Sequence, residues 1–163
     1  MKYCFLLAAI LLSISPVLAT TCAFDGHMLA ADSQRTRGNG KQMNAIKIHA
    51  FPNHHTYCAC AGDCSKIERF LRWYKSDLLT PEEIKGEYEV MMVFEDGECR
   101  DYVGTNQEYT TVSAPFAIGS GEDFALAAMA CGKTAAEAIA IAEQLDTYTG
   151  GNIHTVVLPT NKP

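Results

Sequence analysis

The chain has 163 residues, 48% of them hydrophobic, with 19 acidic and 13 basic residues and a net charge of −6. An acidic chain without a basic cluster argues against nucleic acid as a partner. Residues 20–163, which follow the leader described next, suffice for one domain with a hydrophobic core and are too few for two.

The first 19 residues have the pattern of a secretory signal peptide. Lys2 precedes an apolar run from Tyr3 to Ile14, and small or aliphatic residues lead to Ala19. The run is too short to span a bilayer comfortably, so we expect no stable membrane span after cleavage. A prosegment removed by self-cleavage and an uncleaved anchor are the alternatives. A signal peptide implies an exported protein, periplasmic or extracellular, whereas a prosegment implies a cytoplasmic one.

Cleavage after Ala19 makes Thr20 the first residue of the mature chain. Thr20 then carries a hydroxyl and a free α-amine on one residue. A threonine hydroxyl is a weak nucleophile that needs a nearby base. An α-amine has an unperturbed pKa of roughly 7.7–8, so an appreciable fraction is neutral and basic near neutral pH.

The elements after the leader begin with strands. Residues 20–24 and 27–31 are apolar arms around Asp25-Gly26, a strong hairpin signal. Residues 33–42 are polar and predict a loop, whereas residues 45–50 and 56–61 predict a second strand pair.

A helix and a further hairpin follow. Ile67, Phe70, Leu71 and Tyr74 recur at helical spacing and predict an amphipathic helix over residues 63–76. Residues 80–83 allow at most a short helical turn. The later predictions are strands 88–94 and 100–103 around a turn, strand 116–119, helix 122–131, a helix to about residue 146 that opens with a capping box at Thr134, and strand 153–158. This order indicates an α+β fold with two packed sheets and helices outside.

Six cysteines follow Ala19, an even number that permits disulfides in an exported chain without assigning partners. Cys58, Cys60 and Cys64 lie close together in sequence, but no second cysteine or histidine pair has metal-ligand spacing. We therefore expect small buried residues rather than a metal site, and nothing in the chain indicates a cofactor.

Five short segments give the chain a resemblance to the catalytic subunits of proteasomes and to the bacterial peptidase HslV, which are N-terminal-nucleophile hydrolases. In order, they are Thr20-Thr21 with Gly26-His27-Met28-Leu29-Ala30-Ala31-Asp32-Ser33, Ile46-Lys47-Ile48, Ala59-Cys60-Ala61-Gly62, Ala117-Ile118-Gly119-Ser120-Gly121 and Asp146-Thr147-Tyr148-Thr149-Gly150-Gly151. The resemblance implies a four-layer αββα sandwich of two antiparallel sheets flanked by helices over residues 20–163. The second helix is shortened here, because residues 76–86 have room for only about a turn.

The resemblance also implies catalytic roles. Thr20 attacks the peptide carbonyl, and its own α-amine accepts the hydroxyl proton. Lys47 lies beside the nucleophile, Asp32 pairs with that lysine, and Gly62 lends a backbone N–H to the oxyanion.

Further residues match the surroundings of this group in the family. Ser120, Asp146 and Thr149 match the support of the amine, with Thr149 standing where proteasomes commonly have serine. Ala45 and Cys60 match positions that line the pocket for the residue before the cleaved bond, which implies a roomy apolar pocket.

Thr20 rather than Thr21 is the expected nucleophile. Side chains alternate along a strand, so a shift of one residue moves the hydroxyl to the opposite face. Thr20 and Asp32 are 12 residues apart, and this separation is shorter than in the relatives by an even number of residues. An even difference keeps the Thr20 side chain on the same face of its strand as in the relatives.

These features predict a threonine-type endopeptidase that cleaves peptides or unfolded proteins and assembles into a homo-oligomeric ring. The shortened second helix puts stacking of two rings in question. Ala19 stands where self-processing relatives have glycine, which favours cleavage by a signal peptidase. An unfolding ATPase partner is expected only for a cytoplasmic chain, since exported proteins meet no ATP. A non-catalytic scaffold subunit and an amidohydrolase acting on a small amide remain alternative functions.

Overall fold

The structure is a computed structural model, and it describes residues 20–37, 40–76, 84–104 and 108–159. The predicted leader at residues 1–19 and the predicted turn at residues 80–83 lie outside the described residues. So does most of the segment in which the second helix is predicted to be shortened.

The described residues form strands and helices in the order expected for an α+β fold. The strands are β1 (Thr21–Phe24), β2 (Met28–Ala31), β3 (Arg35–Arg37), β4 (Gly40–Gln42), β5 (Ile48–Phe51), β6 (Thr56–Gly62), β7 (Tyr88–Phe94), β8 (Cys99–Val103), β9 (Tyr109–Val112), β10 (Phe116–Gly119) and β11 (His154–Val157). The helices are α1 (Cys64–Lys75), α2 (Glu122–Ala130) and α3 (Ala135–Leu145). None of these helices is both long and apolar enough to cross a membrane.

Two antiparallel sheets form the middle of the molecule. One has four strands in the order β10-β1-β2-β11, and the other has five in the order β5-β6-β7-β8-β9. Helices α2 and α3 pack on the four-stranded sheet, and α1 packs on the five-stranded one. The layers therefore run helix, sheet, sheet, helix, and the predicted αββα sandwich is confirmed.

Each layer boundary buries its own apolar cluster. Between the sheets lie Phe24, Leu29, Met91 and Ile118, together with small residues. The layer under α1 is rich in aromatic rings, whereas the layer under α2 and α3 consists mainly of alanines. Alanine lets helices approach a sheet closely, and this close approach brings the loops at the ends of α2 and α3 against the start of β1.

Helix α1 forms where its pattern predicts. Asp63 caps its N-terminus by accepting a hydrogen bond from the Ser65 N–H at 2.7 Å, and Ser76 ends the helix. Phe70 and Leu71 lie on its buried face. The helix thereby fixes one wall of the cleft described below.

One prediction of secondary structure was wrong, and one strand was missed. Residues 33–42, expected to be a loop, contain the hairpin strands β3 and β4, with Thr36 opposite Lys41. Strand β4 is fully exposed, so it lacks the alternation of apolar residues that reveals a strand. Strand β9 was not anticipated, although its Tyr-Thr-Thr-Val sequence favours extended backbone. It forms one edge of the five-stranded sheet.

Candidate active site

Thr20 immediately precedes β1, and the residue is 1% exposed. Its backbone N–H donates to Ser120 Oγ at 3.3 Å, and its hydroxyl donates to Asp32 Oδ1 at 3.3 Å. β1 is flanked by β2 and β10 in the sheet, which brings residues following both neighbours to Thr20. The predicted nucleophile is therefore in contact with two of its predicted partners.

Asp32 connects the segments around Thr20. Its Oδ1 accepts from the Lys47 ammonium at 2.5 Å and from the Thr21 N–H at 2.9 Å. Its Oδ2 accepts from the backbone N–H groups of Gln34 and Gly150 at 3.1 and 3.0 Å. A buried carboxylate requires this many donors to offset its loss of hydration.

Lys47 is buried at 7% exposure and forms an ion pair with Asp32. The pair places a positive charge beside the Thr20 hydroxyl, because Asp32 Oδ1 is shared by both side chains. A nearby cation stabilises an oxygen that loses its proton. This geometry suits the activation of a hydroxyl nucleophile.

A second set of hydroxyl groups surrounds the backbone of Thr20. Ser120 Oγ receives the Thr20 N–H and donates to Asp146 Oδ2 at 2.6 Å. Thr149 Oγ1 donates to the same Asp146 oxygen at 2.6 Å and lies in hydrogen-bond contact with the hydroxyl of Thr21. The three predicted support residues therefore form one connected network that ends on the Thr20 nitrogen.

Two glycines permit this close packing. A Cβ on Gly119, whose φ is +92°, would lie 2.4 Å from the Thr20 carbonyl oxygen. A Cβ on Gly121 would lie 2.2 Å from Thr21 Oγ1. Both distances are far below van der Waals contact, so the strand-to-helix connection needs glycine for close approach to β1.

Thr20 is one of the residues that line a cleft of about 1160 Å³. Gly62, at the end of β6 with a φ of +108°, lines the same cleft. Ala45 and Cys60, the predicted pocket residues, also line it, and Ile67 of α1 adds an apolar surface. The predicted oxyanion donor and the predicted pocket therefore share one cavity with the predicted nucleophile.

Cys60, which lines the cleft, and Cys22 on β1 are poorly suited to be nucleophiles. A contact with Cys58 and burial raise the pKa of Cys60 well above its ordinary value. Burial also raises the pKa of Cys22, which outweighs the influence of Lys47. All six cysteines of the described segments are free. No group of three or more possible metal ligands occurs within those segments.

Several contacts were not anticipated from the sequence. The Thr21 hydroxyl joins the support network through Thr149, and backbone N–H groups of Gln34 and Gly150 hold Asp32. Glu89 Oε2 accepts from the Gly119 N–H at 3.3 Å. Ser33 and Gln34 follow the predicted site residue Asp32, and Gly150 follows the predicted site residue Thr149. The contact between these two segments joins parts of the chain that are far apart in sequence.

The fold is similar to that of solved structures that include BPH and an HslV. BPH from Thiobacillus denitrificans matches with a TM-score of 0.64 and 16% identity over 87% of this chain and 99% of that one. The structure of BPH in complex with epoxomicin gives 0.65 and 16% over 88% and 99%. Eukaryotic HslV from Trypanosoma brucei gives 0.59 and 20% over 85% and 97%. No family model and no curated protein sequence matches the chain.

The chain thus has the N-terminal-nucleophile hydrolase fold, in its proteasome/HslV form. The resemblance read from five short segments is confirmed at the level of fold. The identities of 16–20% establish the fold alone.

Proposed function

We propose that the mature protein is a threonine-type endopeptidase with Thr20 as its nucleophile. The observation that carries this proposal is the set of contacts on one residue: the Thr20 hydroxyl on the Asp32–Lys47 pair and the Thr20 nitrogen on Ser120. A chain that only served as a scaffold would have no need to bury a lysine ion pair beside a strand-start threonine.

The chemistry follows from these positions. Cleavage before Thr20 converts its nitrogen into an amine, which takes the hydroxyl proton directly or through a water molecule. The oxygen adds to the scissile carbonyl, and the Gly62 N–H stabilises the resulting oxyanion; one such donor is worth about 3–4 kcal/mol in the transition state. The amine then protonates the leaving group, and water hydrolyses the acyl-enzyme. Lys47 favours the deprotonated hydroxyl electrostatically.

The support network has a separate task in this mechanism. Ser120 Oγ donates to Asp146, so its lone pairs face the Thr20 nitrogen. It therefore orients a neutral amine and also stabilises the protonated amine that forms during the reaction. Thr149 fixes the Asp146 carboxylate that orients Ser120.

The cleft is large enough to hold a peptide segment. Its volume of about 1160 Å³ lies just above the range of roughly 300–1,000 Å³ that is typical of ligand pockets. Cys60 and Leu71 are buried in its wall, and Ile67 is partly buried there. We assign an apolar residue to the position before the cleaved bond.

Assembly and location belong to the same proposal. The likeness to HslV supports a homo-oligomeric ring, and a signal-like leader supports export without an ATPase partner. If the leader is instead a self-cleaved prosegment, the protein is cytoplasmic and can have an ATPase partner. Native mass spectrometry and cell fractionation of the full-length chain test these two points.

The proposal is tested by Thr20→Ala in the full-length protein with fluorogenic peptides that end in an apolar residue. We expect hydrolysis to fall to background while the far-UV circular dichroism spectrum stays unchanged. Thr110→Ala, an exposed threonine on β9, is the matched control and should keep full activity. Undiminished hydrolysis by Thr20→Ala would refute the assignment.

Covalent labelling gives a second, independent readout. Epoxomicin, which is bound in one of the BPH structures, should add to the wild-type chain at Thr20 and leave Thr20→Ala unlabelled. Labelling at any other residue contradicts the proposed nucleophile.

A further inference from the structure

Glu89 lies on a face of β7 whose other residues are apolar. On β7, its neighbours Met91 and Val93 lie on the same face and are buried in the core between the two sheets. The Glu89 side chain is partly buried at the end of this layer. An acidic side chain in such a place breaks the pattern of the strand, and such breaks concentrate at functional sites.

Glu89 makes a specific contact across the layer. Its Oε2 accepts from the Gly119 N–H at 3.3 Å, which joins the five-stranded sheet to the end of β10 in the other sheet. Gly119 stands opposite Thr21 in the strand register and passes close to the Thr20 carbonyl. The next residue is Ser120, the partner of the Thr20 nitrogen.

Other charged groups around Glu89 make its ionisation costly. Asp101 on β8 and Glu122 at the start of α2 are the acidic neighbours, and Cys22 is the titratable group on β1. The Gly119 N–H also interacts with the Glu122 carboxylate, so Glu89 shares this donor. Burial, followed by repulsion from Asp101 and Glu122, raises the pKa of Glu89 to about 7. A residue kept for stability alone would be better served by an uncharged side chain.

We propose that Glu89 is a positioning residue, whose carboxylate holds the Gly119 N–H and thereby fixes Ser120 against the nitrogen of Thr20. This proposal rests on the proposed function. A hydrogen bond to an ionised acceptor is roughly twice as strong as one between neutral groups. The position of Ser120 is therefore held most firmly when Glu89 is ionised, and it is loosened when Glu89 takes up a proton.

Glu89→Gln and Glu89→Leu separate this role from simple packing. Glutamine keeps a neutral acceptor, whereas leucine removes it. For Glu89→Leu we expect kcat to fall by about tenfold or more with KM changed less than about twofold, because a displaced catalytic group slows the chemical step more than it weakens binding. For Glu89→Gln we expect a loss of about threefold in kcat above pH 8.

The diagnostic readout is the ratio of wild-type kcat to Glu89→Gln kcat across pH. It should fall from about three above pH 8 towards one below pH 6, since the protonated wild-type side chain also offers only a neutral acceptor. A ratio that does not change with pH would overturn the proposal, as would full kcat in Glu89→Leu. If Glu89→Leu does not fold, as judged by circular dichroism, the Glu89→Gln ratio carries the test.

Asp101→Asn is the matched control. It relieves the same repulsion on the same face of the sheet, whereas the Gly119 N–H donates to Glu89 rather than to Asp101. Its kcat should equal that of the wild type at pH 8. A loss at pH 8 as large as that of Glu89→Gln would assign the effect to the charge cluster and refute the specific contact. If the wild-type protein shows no hydrolysis that depends on Thr20, both the proposed function and the proposed role of Glu89 are refuted. If hydrolysis depends on Thr20 but the Glu89 variants are unaffected, only the proposed role of Glu89 is refuted.

Discussion

Asp32→Asn is expected to be among the most damaging conservative changes in this protein. The carboxylate is 1% exposed and accepts from Lys47, Thr21, Gln34 and Gly150, as well as from the Thr20 hydroxyl. An asparagine side chain has one acceptor oxygen and one NH₂ group. In either orientation the NH₂ group faces donors: the Lys47 ammonium and Thr21 N–H on one side, or the Gln34 and Gly150 N–H groups on the other.

The size of the effect follows from the buried ion pair. Removing one partner of such a pair costs about 3–5 kcal/mol, because the other charge stays buried without compensation. Lys47→Met should cost less, about 1–3 kcal/mol, since three backbone N–H groups still satisfy the Asp32 carboxylate. At about 2–4 °C per kcal/mol for a domain of this size, Asp32→Asn should lower Tm by about 10 °C.

Urea unfolding followed by circular dichroism measures these differences. Asp96→Asn is the matched control, because Asp96 is exposed in a turn and asparagine retains the acceptor for the Glu98 N–H. Its stability should stay within about 0.5 kcal/mol of the wild type. A loss below about 1 kcal/mol for Asp32→Asn, or a larger loss for Lys47→Met, would refute the account of Asp32 as the carboxylate that compensates a buried cation.

Two further predictions concern the neighbourhood of the site. Gly121→Ala places a Cβ 2.2 Å from Thr21 Oγ1, so it should destabilise the fold by about 1–3 kcal/mol through overpacking; unchanged urea stability would contradict the close approach. The second prediction concerns stability and pH. Burial raises the pKa of Glu89 from 4.5 to about 7. Between these two pH values the folded chain keeps a proton that the unfolded chain releases, so the contribution of Glu89 to the free energy of unfolding falls as the pH rises. Glu89→Gln should therefore raise Tm at pH 8 and leave it unchanged near pH 4; an equal shift at both pH values would exclude the titration of Glu89.

Much of the candidate site could be proposed from the sequence because its residues lie in short local segments. Thr20 and Asp32 are separated by the β1–β2 hairpin, whose Asp25-Gly26 turn can be read from the sequence. The helix-end segment with Asp146 and Thr149 also has a local signature. The contacts among these residues, however, join segments that are far apart in sequence. No local sequence pattern predicts such contacts.

The missed features have physical reasons. Strand β7 is buried on both faces, with Val90 and Met92 under α1 and Met91 and Val93 between the sheets. Its apolar pattern therefore does not reveal which way Glu89 points. The hairpin of β3 and β4 was missed for a different reason: it is held by backbone pairing and has no buried face along β4.

The N-terminus of the mature protein tests the central claim most directly. Intact-mass measurement and N-terminal peptide sequencing of the active protein, purified after expression from the complete chain, should give a species that begins at Thr20 with a free α-amine. An active protein that retains any part of residues 1–19, or that begins at Thr21 or later, would contradict the mechanism, because the proposed base would then be absent or on the wrong residue.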